Sequence, residues 1–126
     1  MIRPHALLPI ALRGFGAICC FFVPLAMLWP SGWAWHAGPP EASDYFMMIA
    51  GLYATLGIFL IRAARDPLAN RSLIWFAVWS SLVHAAIMAV EAVRRPMQHG
   101  HLAGDVPALL LMAAVLALLL RRAERA

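Results

Sequence analysis

WSSLVHAAIMAVEAVRR, residues 79–95, decides how the chain is read. Its composition is that of a membrane-spanning helix, yet His84 lies in its middle and Glu91 near its end. It belongs to an apolar run over residues 73–93, long enough at about 1.5 Å per residue to cross a hydrocarbon core of about 30 Å. His84 falls about 16 Å along that run, near mid-bilayer. Ser80, Ser81, Met88 and Glu91 share its face, because residues three, four and seven apart stack on one side of a helix. Such a polar stripe faces the protein interior or a polar cavity rather than lipid. Counted from the outer ends of their helices, Tyr53, Thr55 and Cys20 lie level with His84. A buried polar layer of His84, Ser80, Ser81, Thr55, Tyr53 and Cys20 is therefore expected. In the plainer reading a neighbouring hydroxyl satisfies a neutral imidazole. In the functional reading His84 binds a ligand or moves a proton, which its titration range suits.

Three further apolar runs lie at 14–30, 45–61 and 106–120, the last extending back through His101-Leu102-Ala103-Gly104. Backbone groups in lipid must be satisfied within their own segment, so runs of this length are helices. The expectation is an all-α integral membrane protein. One domain over residues 1–126 holds four transmembrane helices at about 8–30, 45–63, 72–94 and 104–121, joined by short loops into an antiparallel up-down bundle. Composition agrees: 63% of residues are hydrophobic and 13% charged, against about 25% charged in soluble domains. The net charge of +4 comes from arginines at the ends of apolar runs, with no basic patch to track phosphates, so no nucleic-acid partner is expected.

The arginines also set an orientation. Arg3, Arg13, Arg62, Arg65, Arg71, Arg121, Arg122 and Arg125 gather on one side, against Arg94 and Arg95 on the other. Positive charge is retained in the cytoplasm, which puts both termini there and the first and third loops outside. Trp29, Trp33 and Trp35 after the first run suit an interfacial belt on a retained helix, and no small-x-small site marks a cleaved signal. Pro96 stops the third helix, while Asp105 and Pro107 suit the cap and first turn of the fourth. Small residues four apart, Gly51 with Thr55 and Ala113 with Ala117, mark places where membrane helices approach closely.

The segments PSGWAWH (30–36), YATLG (53–57), ANRSLIWF (69–76), WSSLVH (79–84) and HLAGD (101–105) carry a resemblance over residues 29–118. There the chain resembles a family of small bacterial four-span membrane proteins classed as a domain of unknown function. The resemblance implies a bacterial inner-membrane location and the same four-helix layout. It implies no activity. It also implies that glutamine is frequent where this chain has Glu91, so no catalytic role is carried over to that residue.

Glu91 precedes Arg94 and Arg95 by three and four residues, the favourable order for a helix ion pair. On the outer face it joins His36, Glu41 and Asp44 of the first loop and His99, His101 and Asp105 of the third. Ordinary loop residues and caps account for this set. Convergence of His36, Glu91, His99, His101 and Asp105 would instead form a site for a metal ion or polar solute, with the His-x-His pair as chelate. Met27, Met47, Met48 and Met88 raise copper(I), though methionine commonly fills irregular cores. Haem lacks a second deep axial histidine. Neighbouring cysteines rarely bridge, and Cys19-Cys20 makes no zinc spacing.

Three functions remain. The first is a non-enzymatic packing or accessory subunit, partnered by the bilayer and by a homo-oligomer or larger membrane complex. The second is a small binding or transport protein with a proton-responsive His84. The third is a membrane enzyme acting on a lipid or quinone, which requires a cavity reaching His84 from the lipid side.

Overall fold

The computed structural model describes residues 4–34 and 38–126. Regular structure among them is entirely helical: α1 (Pro4–Cys20), α2 (Phe22–Leu28), α3 (Pro30–Trp33), α4 (Asp44–Ala63), α5 (Arg71–Arg94) and α6 (Asp105–Glu124), with 3-10 turns at Pro40–Ala42 and Pro96–Leu102. Helices α4 and α5 and the stretch Pro96–Glu124 are each long and apolar enough to cross a membrane. Helices α1 and α2 supply a fourth crossing if they are one bent span.

That bend corrects the continuous helix expected over 8–30. The chain turns by 59° between Ala6–Cys20 and Phe22–Leu28. Pro24 is the cause: it has no N–H to donate to the Cys20 carbonyl one turn back, and its ring crowds that carbonyl. The ladder resumes around the lost bond, with Phe21 N–H donating to Ala17 at 3.0 Å and Leu25 N–H to Phe21 at 3.2 Å. A second proline ends α2. The residue before it, Trp29, takes φ −144° and ψ 76°, outside the helical region, and Pro30 opens α3.

Pro96 follows the C-cap of α5 and stops that helix as expected, and the other helix ends are set by local hydrogen bonds. Ser43 caps α4 by accepting the Phe46 N–H at 3.2 Å. Asn70 makes no side-chain cap bond to α5. Its amide instead donates to the Asp66 carbonyl at 2.8 Å. Asp105 is the first residue of α6, not its cap; the cap is Gly104, without a side-chain bond.

Packing begins where α1 crosses α4. A Cβ on Gly16 would lie 2.7 Å from the Gly57 carbonyl oxygen, and a Cβ on Gly57 would meet the Gly16 carbonyl oxygen and, at 2.8 Å, the Cys20 sulfur. Only glycine at both positions lets the backbones touch. The expected pair Gly51/Thr55 faces outward instead, and a Cβ on Gly51 would meet nothing within 4 Å. Ala113 is buried in the main core with Ala117 packed against it. Helix α5 lies along α6, and α6 also touches α1. Helices α4 and α5, though consecutive, approach each other little. Leu12, Leu60, Ile74, Leu116 and Leu120 are fully buried in the main core, and Phe46 with Ala26, Ala34 and Ala50 forms a smaller one. Leu52, Phe76, Trp79, Val83 and Ile87 stand exposed. Apolar surface on that scale suits a lipid environment.

The crossing makes a testable contrast on one helix. Gly57→Ala forces a methyl group into the α1 backbone and should cost about 1–3 kcal/mol, the usual penalty of overpacking. Gly51→Ala removes helix-interior glycine at an open position and should gain about 0.5–1 kcal/mol. Thermal unfolding in detergent checks this, the first variant melting well below wild type and the second at or above it.

Candidate functional site

The end of the bundle that carries the first and third loops is closed by a cap. Helix α3 and the 3-10 segment Pro96–Leu102 pack together there. Gly100 lies against the Ser31 backbone, and a Cβ on Gly104 would sit 2.8 Å from the Gly32 Cα. Between these glycines the chain carries His101, which is fully buried. Its Nε2 reaches the Ala34 carbonyl at 3.2 Å and its Nδ1 the Asp105 carboxyl at 2.9 Å. The tautomer follows from the partners. A carbonyl only accepts, so Nε2 carries a hydrogen and donates it. Nδ1 and the carboxyl must then hold one proton between them. Wherever it resides, histidine and aspartate together are neutral, which lets both be buried.

This geometry corrects the expected outer cluster. His101 has both nitrogens engaged and His99 is exposed, so the His-x-His pair does not present as a chelate. Glu91 pairs with Arg95 at 3.1 Å and lies 4.0 Å from Arg94. Glu41 and Asp44 are exposed. His36 lies outside the described residues. Among the described residues no three histidine, cysteine or acidic side chains are grouped to hold a metal ion. Met27, Met47 and Met48 face outward, while Met88 is buried.

Midway along the bundle the expected polar layer assembles in part. The Tyr53 hydroxyl and His84 Nδ1 form a hydrogen bond from α4 to α5. Phe22, first residue after the bend, holds the tyrosine in place: its ring centroid lies 5.3 Å from Tyr53, 5.5 Å from Phe46 and 6.0 Å from Trp33. Ser80 lies one turn from His84 and bonds the Ala77 carbonyl at 3.3 Å. Ser81 is buried. Two expected members stand apart. Thr55 is exposed and bonds its own helix at Gly51, 2.9 Å away. The Cys20 thiol reaches the Ala54 carbonyl at 3.6 Å, beside Tyr53 but not on His84.

The Tyr53–His84 pair stands between two spaces. Because α4 is drawn to α1, a groove of about 790 Å³ opens between α4 and α5. Leu52, Leu56, Phe76, Trp79 and Ile87 line it together with Tyr53, Ser80 and His84. A smaller cavity of about 130 Å³ lies on the far side, against α1 and α6, lined by Tyr53, His84 and Asp105 among others. Asp105 of the cap and the Tyr53–His84 pair thus border one space. Sequence reasoning missed the burial of His101. The available signal was its bracketing by Gly100 and Gly104, the residue type that close backbone approach requires.

A family of unknown function, DUF6632, matches residues 2–125. The chain belongs to DUF6632. The match takes in the first helix and the C-terminal arginines as well as the 29–118 stretch that carried the resemblance. No curated protein and no solved structure matches the chain. Membership of DUF6632 therefore brings no activity with it, and the reading rests on the geometry.

The cap predicts an ordering of variants. Asp105→Asn can donate its amide to His101 Nδ1 and keep every bond without the shared proton, so melting in detergent should change little. His101→Ala strands the Asp105 carboxyl and the Ala34 carbonyl and should cost about 3–5 kcal/mol. Glu91→Gln loses only a partly exposed ion pair, worth about 0–1 kcal/mol.

Proposed function

We propose that the chain is an integral protein of a bacterial inner membrane, crossing it four times as an antiparallel bundle with both termini cytoplasmic. The excess of arginine at the terminal end supports this orientation. Arg121 over the Trp75 ring at 5.5 Å and Arg62 near Phe59 at 6.0 Å suit the interface on that side. The capped end then faces outward.

On this reading the protein binds a lipid-soluble molecule without covalent chemistry. The observation that carries it is the groove between α4 and α5, an apolar trough opening beside the bundle with a hydrogen-bonded tyrosine–histidine pair in its wall. Its size falls in the range of about 300–1,000 Å³ typical of small-molecule sites. The membrane-enzyme alternative uses the same groove, but the Ser80 hydroxyl in its wall donates to the Ala77 carbonyl rather than to His84, and no carboxylate is among the described residues lining it. A packing or accessory subunit is the second reading, favoured by the exposed Leu52, Phe76 and Trp79, which a helix of another copy or of a larger complex would cover. Membrane helices pack through small residues, however, and this groove is lined chiefly by bulky ones.

Native mass spectrometry from mild detergent tests the proposal. The wild type should retain one lipid-soluble molecule per chain, and Val83→Trp, which fills the groove, should lose it. A bare chain throughout, or equal retention by the variant, rejects ligand binding. Efficient chain-to-chain crosslinking through Val83→Cys would favour the packing subunit.

A further inference from the structure

We infer that the groove takes an uncharged lipid whose head carries a hydroxyl or a carbonyl, seated on Tyr53 and His84. This rests on the ligand-binding reading above and names the ligand's chemistry. Three observations lead to it.

The first is depth. Tyr53 lies midway along α4 and His84 just past the middle of α5, so a head bonded to them sits near the bilayer centre. A charged phospholipid head taken there loses its water, and charge at mid-bilayer costs at least about 2.5–3.5 kcal/mol. The second is lining. No arginine, lysine, aspartate or glutamate is among the described residues lining the groove, so none of these compensates a charged head there. The third is the hydrogen-bonding capacity of the pair. If Tyr53 donates to His84 Nδ1, the histidine keeps an Nε2–H donor and the tyrosine oxygen a free lone pair. If Nδ1–H donates to the tyrosine, the hydroxyl becomes the free donor and Nε2 the acceptor. Each tautomer leaves one donor and one acceptor, with no change of charge. A hydroxyl, which both donates and accepts, matches that directly. A carbonyl takes the donor alone.

Long-chain alcohols and quinones share this chemistry. The test uses four probes, each carrying a photoreactive diazirine in a hydrocarbon tail: a fatty alcohol, a quinone, a fatty acid and a phosphatidylglycerol. The full-length protein is labelled in lipid nanodiscs, and adducts are mapped by peptide mass spectrometry. The alcohol or the quinone should label groove residues such as Phe76 and Ile87 about 3- to 10-fold more than the two charged probes, the discrimination expected of one or two hydrogen bonds within a membrane. Which uncharged probe leads identifies the source. Tyr53→Phe, which keeps the ring, should remove most of that preference. His84→Gln serves as the second variant, with thermal melting confirming that each has folded. Equal groove labelling by all four heads, or a preference unchanged in both variants, overturns the head-group assignment and leaves the groove as a ligand site. Groove labelling no higher than at the outward-facing Ile58 instead rejects the ligand-binding reading itself.

Discussion

The contact on which the arrangement depends is backbone against backbone. Gly16 and Gly57 let α1 and α4 approach until their carbonyl oxygens occupy the space of a side chain. Helix association in lipid has no hydrophobic driving force, because lipid tails are as apolar as leucine, so close van der Waals fit decides which helices pair. The fit draws α4 to α1 and away from α5, its neighbour in sequence. The groove is the other side of that choice. A side chain at either glycine would therefore disturb a space that neither residue lines.

Two prolines and a histidine then shape the inner cavity behind Tyr53 and His84. The hydrogen bond missing at Pro24 turns the chain by 59° and brings Phe22 against Tyr53. Pro30 opens the short helix on which the cap is built. His101 fastens the third loop to the first through the Ala34 carbonyl, and its partner Asp105 begins α6 and borders the inner cavity. The cap, the bend and the central pair are thus linked by direct contacts.

Much of this was legible in the residues, and the rest was hidden for identifiable reasons. Hydropathy exposes apolar helices because lipid imposes one requirement on every turn, and α4, α5 and α6 answer to it. The i, i+4 rule set Ser80 and Ser81 beside His84, and counting depth brought Tyr53 level with it. Depth alone does not give rotation about the helix axis, so Thr55 was placed inward although it faces out. The bend was concealed because hydropathy scores Pro24 as one more residue of an apolar run, whereas its effect is a lost donor. The Gly16–Gly57 crossing has no signature within either helix, since it pairs residues far apart in sequence. His101 looked like a loop ligand because sequence shows polarity but not the carbonyl waiting for it at Ala34.

On the ligand-binding reading proposed above, the open flank of the bundle changes what selectivity means at this site. A pocket facing water gains affinity by removing apolar surface from solvent. If the chain crosses a membrane as proposed, a molecule in the groove between α4 and α5 leaves no water behind, only other chains of the bilayer. Its tail therefore contributes almost nothing to the choice, and every lipid competes for the space at a concentration close to that of a pure liquid. Discrimination falls on the one or two hydrogen bonds that Tyr53 and His84 can offer. Occupancy then follows a ligand's mole fraction among the membrane lipids, so the same protein would read out the composition of its bilayer rather than that of the surrounding solution.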